Sequence, residues 1–332
     1  MKRTFFKSCL ALALVAAFGV AQAQTKTIKF ANQNAKGHPI VMGMDKFAEI
    51  VEKNSGGKLK VNVYPAGALG SDQANVSALQ GGTLEMASMN SGIFASIVKD
   101  FEVYDFPFLF GSPKEADAVV DGPFGQGLHK KLEDKGLVGL AYYELGFRQL
   151  TNSKRPIAKV EDIAGLKLRV IPNPINVDWV KALDANPTPL PFPELYAALE
   201  QKAVDGQENP VATIRGAKLF EVQKFMTLTN HQYNPQSVVI SKKFWDTLAA
   251  DEKKVIADAA IESAKYQREQ SRTAAASILD ELKKNGMQVT ELAPAEVAKL
   301  REKMKPVIAK HTAGVGEATV KAVQAEVDKA RK

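Results

Sequence analysis

Residues 27–92 read TIKFANQNAKGHPIVMGMDKFAEIVEKNSGGKLKVNVYPAGALGSDQANVSALQGGTLEMASMNSG. Thr27–Phe30 reads as a short strand. A helix over His38–Lys53 follows, with Val41, Met44, Phe47, Ala48 and Val51 at helical spacing. Asn54-Ser55-Gly56-Gly57 stops it. Leu59–Tyr64 alternates as a strand, Leu59, Val61 and Val63 on one face and Lys60, Asn62 and Tyr64 on the other. Pro65-Ala66-Gly67 turns the chain, a helix over Asp72–Gln80 leads to Gly81-Gly82, and Leu84–Met89 is the next strand. A β-α-β-α-β order with short connections predicts a parallel α/β sheet.

Downstream the alternation continues. Lys114–Lys135 reads as mainly helical, Leu137–Tyr143 and Leu166–Val170 as strands, Pro174–Leu183 as a helix, and Pro187–Pro191 as extended. Pro193–Gln201 reads as a helix, and Ala203–Gln207, Phe225–Asn230 and Gln236–Ile240 as short strands. Asp251–Lys284 is rich in Ala, Glu, Lys and Gln and free of glycine and proline, so it reads as one long helix able to strut two lobes. Pro294–His311 and Val315–Ala330 are further helices.

The chain has 332 residues, 45% apolar and 24% charged, an ordinary globular composition that excludes a disordered chain, a rod and a polytopic membrane protein. Its formal charge of +7 includes Lys2, Arg3 and Lys7 at the start. The remaining excess is mild and lacks an aromatic-interleaved basic tract, so no nucleic-acid partner is expected. Met1–Ala23 has a basic start, an apolar run from Cys9 to Val20, and Ala21-Gln22-Ala23, the pattern of an export signal cleaved after Ala23. Cleavage would remove Cys9, the single cysteine. A soluble, exported protein, no cofactor and a monomeric state are the expectations. His38, His129, His231 and His311 have no metal-ligand spacing, and there is no G-x-S-x-G, P-loop, H-E-x-x-H or G-x-G-x-x-G.

Residues 146–210 carry the functional signal. They include Gly146-Phe147-Arg148-Gln149, Gly165-Leu166-Lys167-Leu168-Arg169-Val170, Asn186-Pro187-Thr188-Pro189-Leu190-Pro191-Phe192 and Val204-Asp205-Gly206-Gln207-Glu208-Asn209-Pro210. Arg169 ends a short apolar strand, where a guanidinium can grip a carboxylate with two prongs or pair with Asp162 or another acid. Arg148 has the same two readings. Asn209 precedes Pro210, which restricts its backbone.

Together these segments resemble the extracytoplasmic solute receptors of tripartite ATP-independent periplasmic (TRAP) transporters, the dicarboxylate-binding-protein (DctP) family. Gly37-His38-Pro39, Tyr64–Gly70, Leu79–Met86 and Asp105–Phe110 fit that family as well. The resemblance implies two α/β lobes joined by crossing strands, a long helix across both, and a solute in the cleft. Lobe I is expected over residues 24–145 plus about 235–274, and lobe II over 146–234 plus about 275–332. By similarity, Arg169 takes the solute carboxylate, Asn209 bonds the same end, Arg148 stands near it, and Phe192 packs on the ligand. Partners implied are a small-molecule carboxylate and the membrane permease subunits.

Further cleft candidates come from strand ends: Gln33 and Asn34, His38, Asn90 and Ser91, His231 and Gln236. Amides suit hydroxyl groups, and no further cation stands among these positions. The expectation is therefore a polyhydroxy monocarboxylate such as an aldonate or uronate, with a C4-dicarboxylate as the alternative. An exported enzyme would need a general base, for which Glu144 and Glu208 are the candidates. A sensory receptor signalling through another chain is the third reading.

Overall fold

The computed structural model describes residues 25–332, so the expected export signal lies outside the described residues. Among the described residues, eleven strands form two sheets: β1 (Lys26–Ala31), β2 (Leu59–Tyr64), β3 (Met86–Asn90), β4 (Leu137–Phe147), β5 (Gln149–Asn152), β6 (Lys167–Val170), β7 (Asn186–Pro189), β8 (Gly206–Asn209), β9 (Phe225–Leu228), β10 (Tyr233–Ser241) and β11 (Gln288–Glu291). The first sheet runs β2-β1-β3-β10-β4 and the second β11-β9-β5-β8-β6-β7. β1 pairs parallel with β2 and β3, as the opening βαβαβ unit predicts. β10 lies antiparallel between β3 and β4 because it returns from the other lobe, so the sheet is mixed.

The helices between the first strands follow from local chemistry. His38 caps the helix Pro39–Asn54 with its own ring nitrogen, and Pro39 occupies the first turn, where its missing N–H costs nothing. That helix buries Ile40, Met44, Phe47 and Val51 against Ile28, Phe30 and Tyr143. Ser71 caps the helix Asp72–Gly81. These caps place the helix N-termini beyond the carboxyl ends of β1 and β2, the side on which open α/β sheets receive ligands.

Two strand-to-strand connections cross between the lobes, β4 to β5 through Arg148 alone and β9 to β10 through residues 229–232. The crossings are tied by Arg148 N–H to the Gln232 carbonyl at 2.8 Å. Gly146 takes φ +111 just before the first crossing, a backbone state that a side chain would strain. β4 is longer than the expected Leu137–Tyr143 because its pairing with β10 carries on through Phe147, opposite Tyr233. β8 is displaced from the expected Ala203–Gln207. Ala203 and Val204 close the preceding helix by bonding back to the Ala198 carbonyl, so the strand begins at Gly206 and includes Glu208 and Asn209.

The third link is the 35-residue helix Ala250–Lys284. Ile256, Ala259, Ala260 and Ala264 pack in the core of the first lobe, whereas Ile278 and Leu282 pack with Leu195, Leu199 and Met226 in the second. Asp251 and Glu252 in its first turn and Lys283 and Lys284 in its last complement the helix dipole. β11 joins the second sheet beside β9. The last helix, Glu317–Arg331, departs from the expected lobe II placement. It seats Val323 and Val327 in the core that holds Val119 and Val120, and pairs Arg331 with Glu115 on the helix Pro113–Asp121 of the first lobe. Its apolar stripe finds its complement there. No helix among the described residues is long and apolar enough to cross a membrane.

Candidate functional site

Between the lobes lies a cleft with about 470 Å³ of empty space, part of it continuous with solvent. Gln33, Asn34, Asn90 and Gln236 reach it from the first lobe, Arg169, Phe192 and Asn209 from the second, and Arg148 from the crossing. Asp72, Gln73, Ile93, Leu145, Ile171 and Thr213 complete most of the lining.

Arg169 projects from β6, paired parallel with β7 and β8. It is 1% exposed, its Nε donates to the Leu190 carbonyl at 2.8 Å, and its Nη1 is buried without a hydrogen-bond partner. Burial first, and then the Arg148 charge, push its pKa down to about 10 against the pull of Glu208 and Asp72. Asp162, the alternative partner weighed above, instead accepts from the backbone N–H groups of Ala158 and Lys159. Phe192 lies beneath the guanidinium, with Cζ 5.9 Å from the ring centroid. Arg169 is thus a desolvated cation held by its stem, with its fork open.

Arg148 lines the same cleft but is already neutralised. It pairs through Nε and Nη2 with the Glu208 carboxylate, also reaches the Glu208 carbonyl, and donates from Nη1 to Asn234 Oδ1 at 2.9 Å. Burial would raise the Glu208 pKa. The Arg148 charge, with bonds from His231 and Arg148, overrides it and holds the carboxyl at about 2. Arg148 keeps one spare N–H, against the open fork of Arg169. Glu208 is therefore no general base, and Glu144 is equally engaged, accepting from Arg272 at 2.6 Å and Tyr233 at 3.1 Å.

The amides show how strand ends present single functions. Asn90 Oδ1 accepts from Gly92 N–H at 2.9 Å while its Nδ2 is buried without a partner. Gln33 Nε2 donates to the Gly70 carbonyl at 2.8 Å while its Oε1 is buried without a partner. Gln236 Oε1 accepts from Asn32 at 3.1 Å and Ser88 at 3.0 Å. Asn209 is held by Gln207, which bonds Thr151 in turn.

Three expected site residues stand outside the lining. His38 accepts from Ile40 N–H through Nδ1, so Nε2 carries the proton and meets Thr213 Oγ1 at 3.2 Å. It caps a helix and touches the other lobe, and burial, with the Arg215 charge, lowers its pKa to about 3. Ser91 bonds Ser237 at 2.8 Å inside the first lobe. His231 bonds Thr229 at 2.8 Å, packs on Trp179 and brings Nε2 to 3.3 Å from Glu208 Oε2. His38 and Ser91 find their partners within the protein, and His231 spends Nδ1 on Thr229 while its Nε2 stands beside the Glu208 carboxylate, none of which strand order alone reveals.

The reverse applies to Asp72 and Thr213, which the sequence reading missed. Asp72 opens the helix after Ser71, at the end of the loop that follows β2, and its Oδ1 is buried without a partner. Its place beyond a parallel strand was the available signal. Burial pushes its pKa up to about 7 against the pull of Arg169 and Gln33.

Residues 30–314 match the family model described as bacterial extracellular solute-binding protein, family 7. Among solved structures, a TRAP periplasmic solute-binding protein from Ochrobactrum anthropi is 57% identical, with TM-score 0.83 over 93% of this chain and 97% of that one. The sugar acid binding protein of Advenella mimigardefordensis, in complex with galactonate, is 43% identical, with TM-score 0.91 over 92% and 99%. The 2,3-diketo-L-gulonate-binding periplasmic protein YiaO of Escherichia coli is 35% identical over 289 residues, 87% of this chain and 88% of that one. The chain belongs to the bacterial extracellular solute-binding proteins of family 7, the receptors of TRAP transporters.

Proposed function

We propose that this receptor captures a sugar acid, an aldonate or uronate of modest size, between its lobes and hands it to the membrane permease. Members of the family bind solutes and catalyse no reaction on them. One observation carries the proposal: four buried polar atoms without partners, Arg169 Nη1, Asn90 Nδ2, Gln33 Oε1 and Asp72 Oδ1, belong to residues lining one cleft. Buried polar groups are costly when unpaired, so a ligand that completes them binds with discrimination. The set calls for one carboxylate at Arg169 and hydroxyl groups elsewhere.

The charge balance favours a monocarboxylate. Arg148 is cancelled by Glu208, and Asp72 adds a further acid to the cleft, which disfavours a second carboxylate. The relatives named with galactonate and 2,3-diketo-L-gulonate support the same class. In this reading Arg169 and Asn209 take the carboxylate, Phe192 packs against the ligand, and Gln33, Asn90 and Gln236 read hydroxyls. Contacts from both lobes make the closed state preferable. Export with cleavage after Ala23 and action as a monomer belong to the same proposal.

The test is calorimetry with galactonate, gluconate, galacturonate, succinate and malate. A sugar acid should bind tightest. Succinate or malate binding tightest would overturn the proposal in favour of a C4-dicarboxylate receptor.

A further inference from the structure

We propose that His38 and Thr213 form a latch between the lobes, a hydrogen bond that prolongs the closed, solute-filled state through contact of protein with protein. This rests on the reading that the lobes close over an acid anion, whichever anion that is. The two residues belong to opposite lobes. His38 opens the helix Pro39–Asn54, whose Ile40 and Met44 pack with Ile256, Ala259 and Ala260 on the first half of the long helix. Thr213 lies on the short helix Val211–Gly216, where Ala212 and Ile214 pack with Ile278 and Leu282 on its second half. Neither residue stands in a crossing, so rotation of one lobe against the other acts on the contact between them. The lobes also meet at Gly67, where a Cβ would stand 3.2 Å from Pro193 Cγ, so the structure has the closed arrangement.

The direction of each bond in the latch is fixed. Ile40 N–H donates to His38 Nδ1 at 3.1 Å, so the proton of the neutral ring is on Nε2 and goes to Thr213 Oγ1 at 3.2 Å. The Thr213 hydroxyl, having accepted, donates to Asn34 Oδ1 at 3.5 Å. Asn34 Nδ2 donates to Asn32 Oδ1 at 3.0 Å, and Asn32 Nδ2 to Gln236 Oε1 at 3.1 Å. One chain of donors therefore runs from a helix cap of the first lobe through a hydroxyl of the second, and back to an amide that lines the cleft.

His38 and Thr213 are each 2% exposed and Asn34 is 4% exposed. With the lobes together, water is excluded from all three, and removing the hydroxyl would leave the His38 Nε2 proton and Asn34 Oδ1 buried and unpaired. With the lobes apart, water reaches both groups and the same loss costs little. The latch thus acts on the balance between open and closed states, and a buried group left unpaired costs more than the bond itself contributes. His38 stands outside the cleft lining, so its effect on affinity passes through Thr213 and makes it a positioning residue.

The experiment is a double-mutant cycle of His38→Asn and Thr213→Val, with galactonate and succinate as probes, Kd read by calorimetry and release by stopped-flow displacement. Asparagine still caps the helix by accepting from Ile40 N–H, but it is too short to reach Thr213. Thr213→Val should weaken binding by about 5- to 150-fold, through faster release and by the same factor for each probe that binds. Thr213→Ser keeps the hydroxyl and should stay within about threefold of wild type. The double variant should lose clearly less than the product of the two single losses. The unliganded melting temperature of Thr213→Val should match wild type, whereas a role in folding alone would lower it. Wild-type affinity in Thr213→Val, multiplying losses in the cycle, or a loss confined to one of two probes that both bind overturns the latch. If succinate binds and galactonate does not, the sugar-acid reading fails while the cycle with succinate still decides this one. If His38→Asn does not fold, the contrast of valine with serine at position 213 decides it.

Discussion

Replacing Arg169 tests the central claim about the cleft. The side chain is 1% exposed, its Nε is committed to the Leu190 carbonyl at 2.8 Å, and its Nη1 has no partner. An incoming carboxylate would complete a charge-assisted two-pronged pair in a desolvated place. In Arg169→Ala that carboxylate would be buried unpaired, which costs about 2–5 kcal/mol. By calorimetry this reads as a Kd weaker by roughly 30-fold to several thousand-fold. Arg169→Lys keeps the charge but replaces a planar fork with a point charge on a flexible stem. It cannot reproduce both the Leu190 bond and the two-pronged grip, so it should lose at least about tenfold. Stability should move differently from affinity. A buried cation without a partner is a cost to the fold, so unliganded Arg169→Ala should melt no lower than wild type while its ligand-induced shift disappears. Wild-type affinity in Arg169→Lys would refute the clamp.

Glu208→Gln should destabilise the protein by about 3–5 kcal/mol in urea unfolding at neutral pH, because it strands buried Arg148. Since Arg148 holds the Glu208 carboxyl down at about 2, that stabilisation is present above the ordinary carboxylate range and is lost as pH falls toward 2, where the two curves should converge. Asn90→Leu should weaken a hydroxy acid far more than its deoxy counterpart in matched titrations, and equal losses would remove Asn90 as a hydroxyl reader. Burial lowers the pKa of His38 and of His129 to about 3, so stability is full above the unfolded value near 6.5 and should fall with acidification below it. Each contributes roughly 1.4 kcal/mol per pH unit, and His129→Gln should flatten the slope in denaturant titrations. Saturating galactonate should reduce the radius of gyration in X-ray scattering, and an unchanged curve with proven binding would mean a rigid cleft.

The two-lobed α/β fold was legible in residues 27–92 and 251–284 because apolar periodicity, caps and turn residues act over a few neighbours. Strand Leu59–Tyr64 has the ends the pattern predicts, and the long helix begins one residue earlier than expected. The likeness of residues 146–210 to the family drew attention to Arg169, Arg148, Asn209 and Phe192, all of which line the cleft. Tertiary structure decided what those residues have left to offer. Arg148 and Arg169 are indistinguishable as letters, yet Glu208, 60 positions from Arg148, closes one fork while the other remains open. His38, Ser91 and His231 carry suitable chemistry, but Thr213, Ser237 and Thr229 occupy them. Asp72 lacked a recognisable pattern of its own and gained significance only when the second lobe brought Arg169 to the same cleft. Secondary structure follows from contacts close along the chain. The free valence of a buried polar group depends on which distant side chain reaches it first.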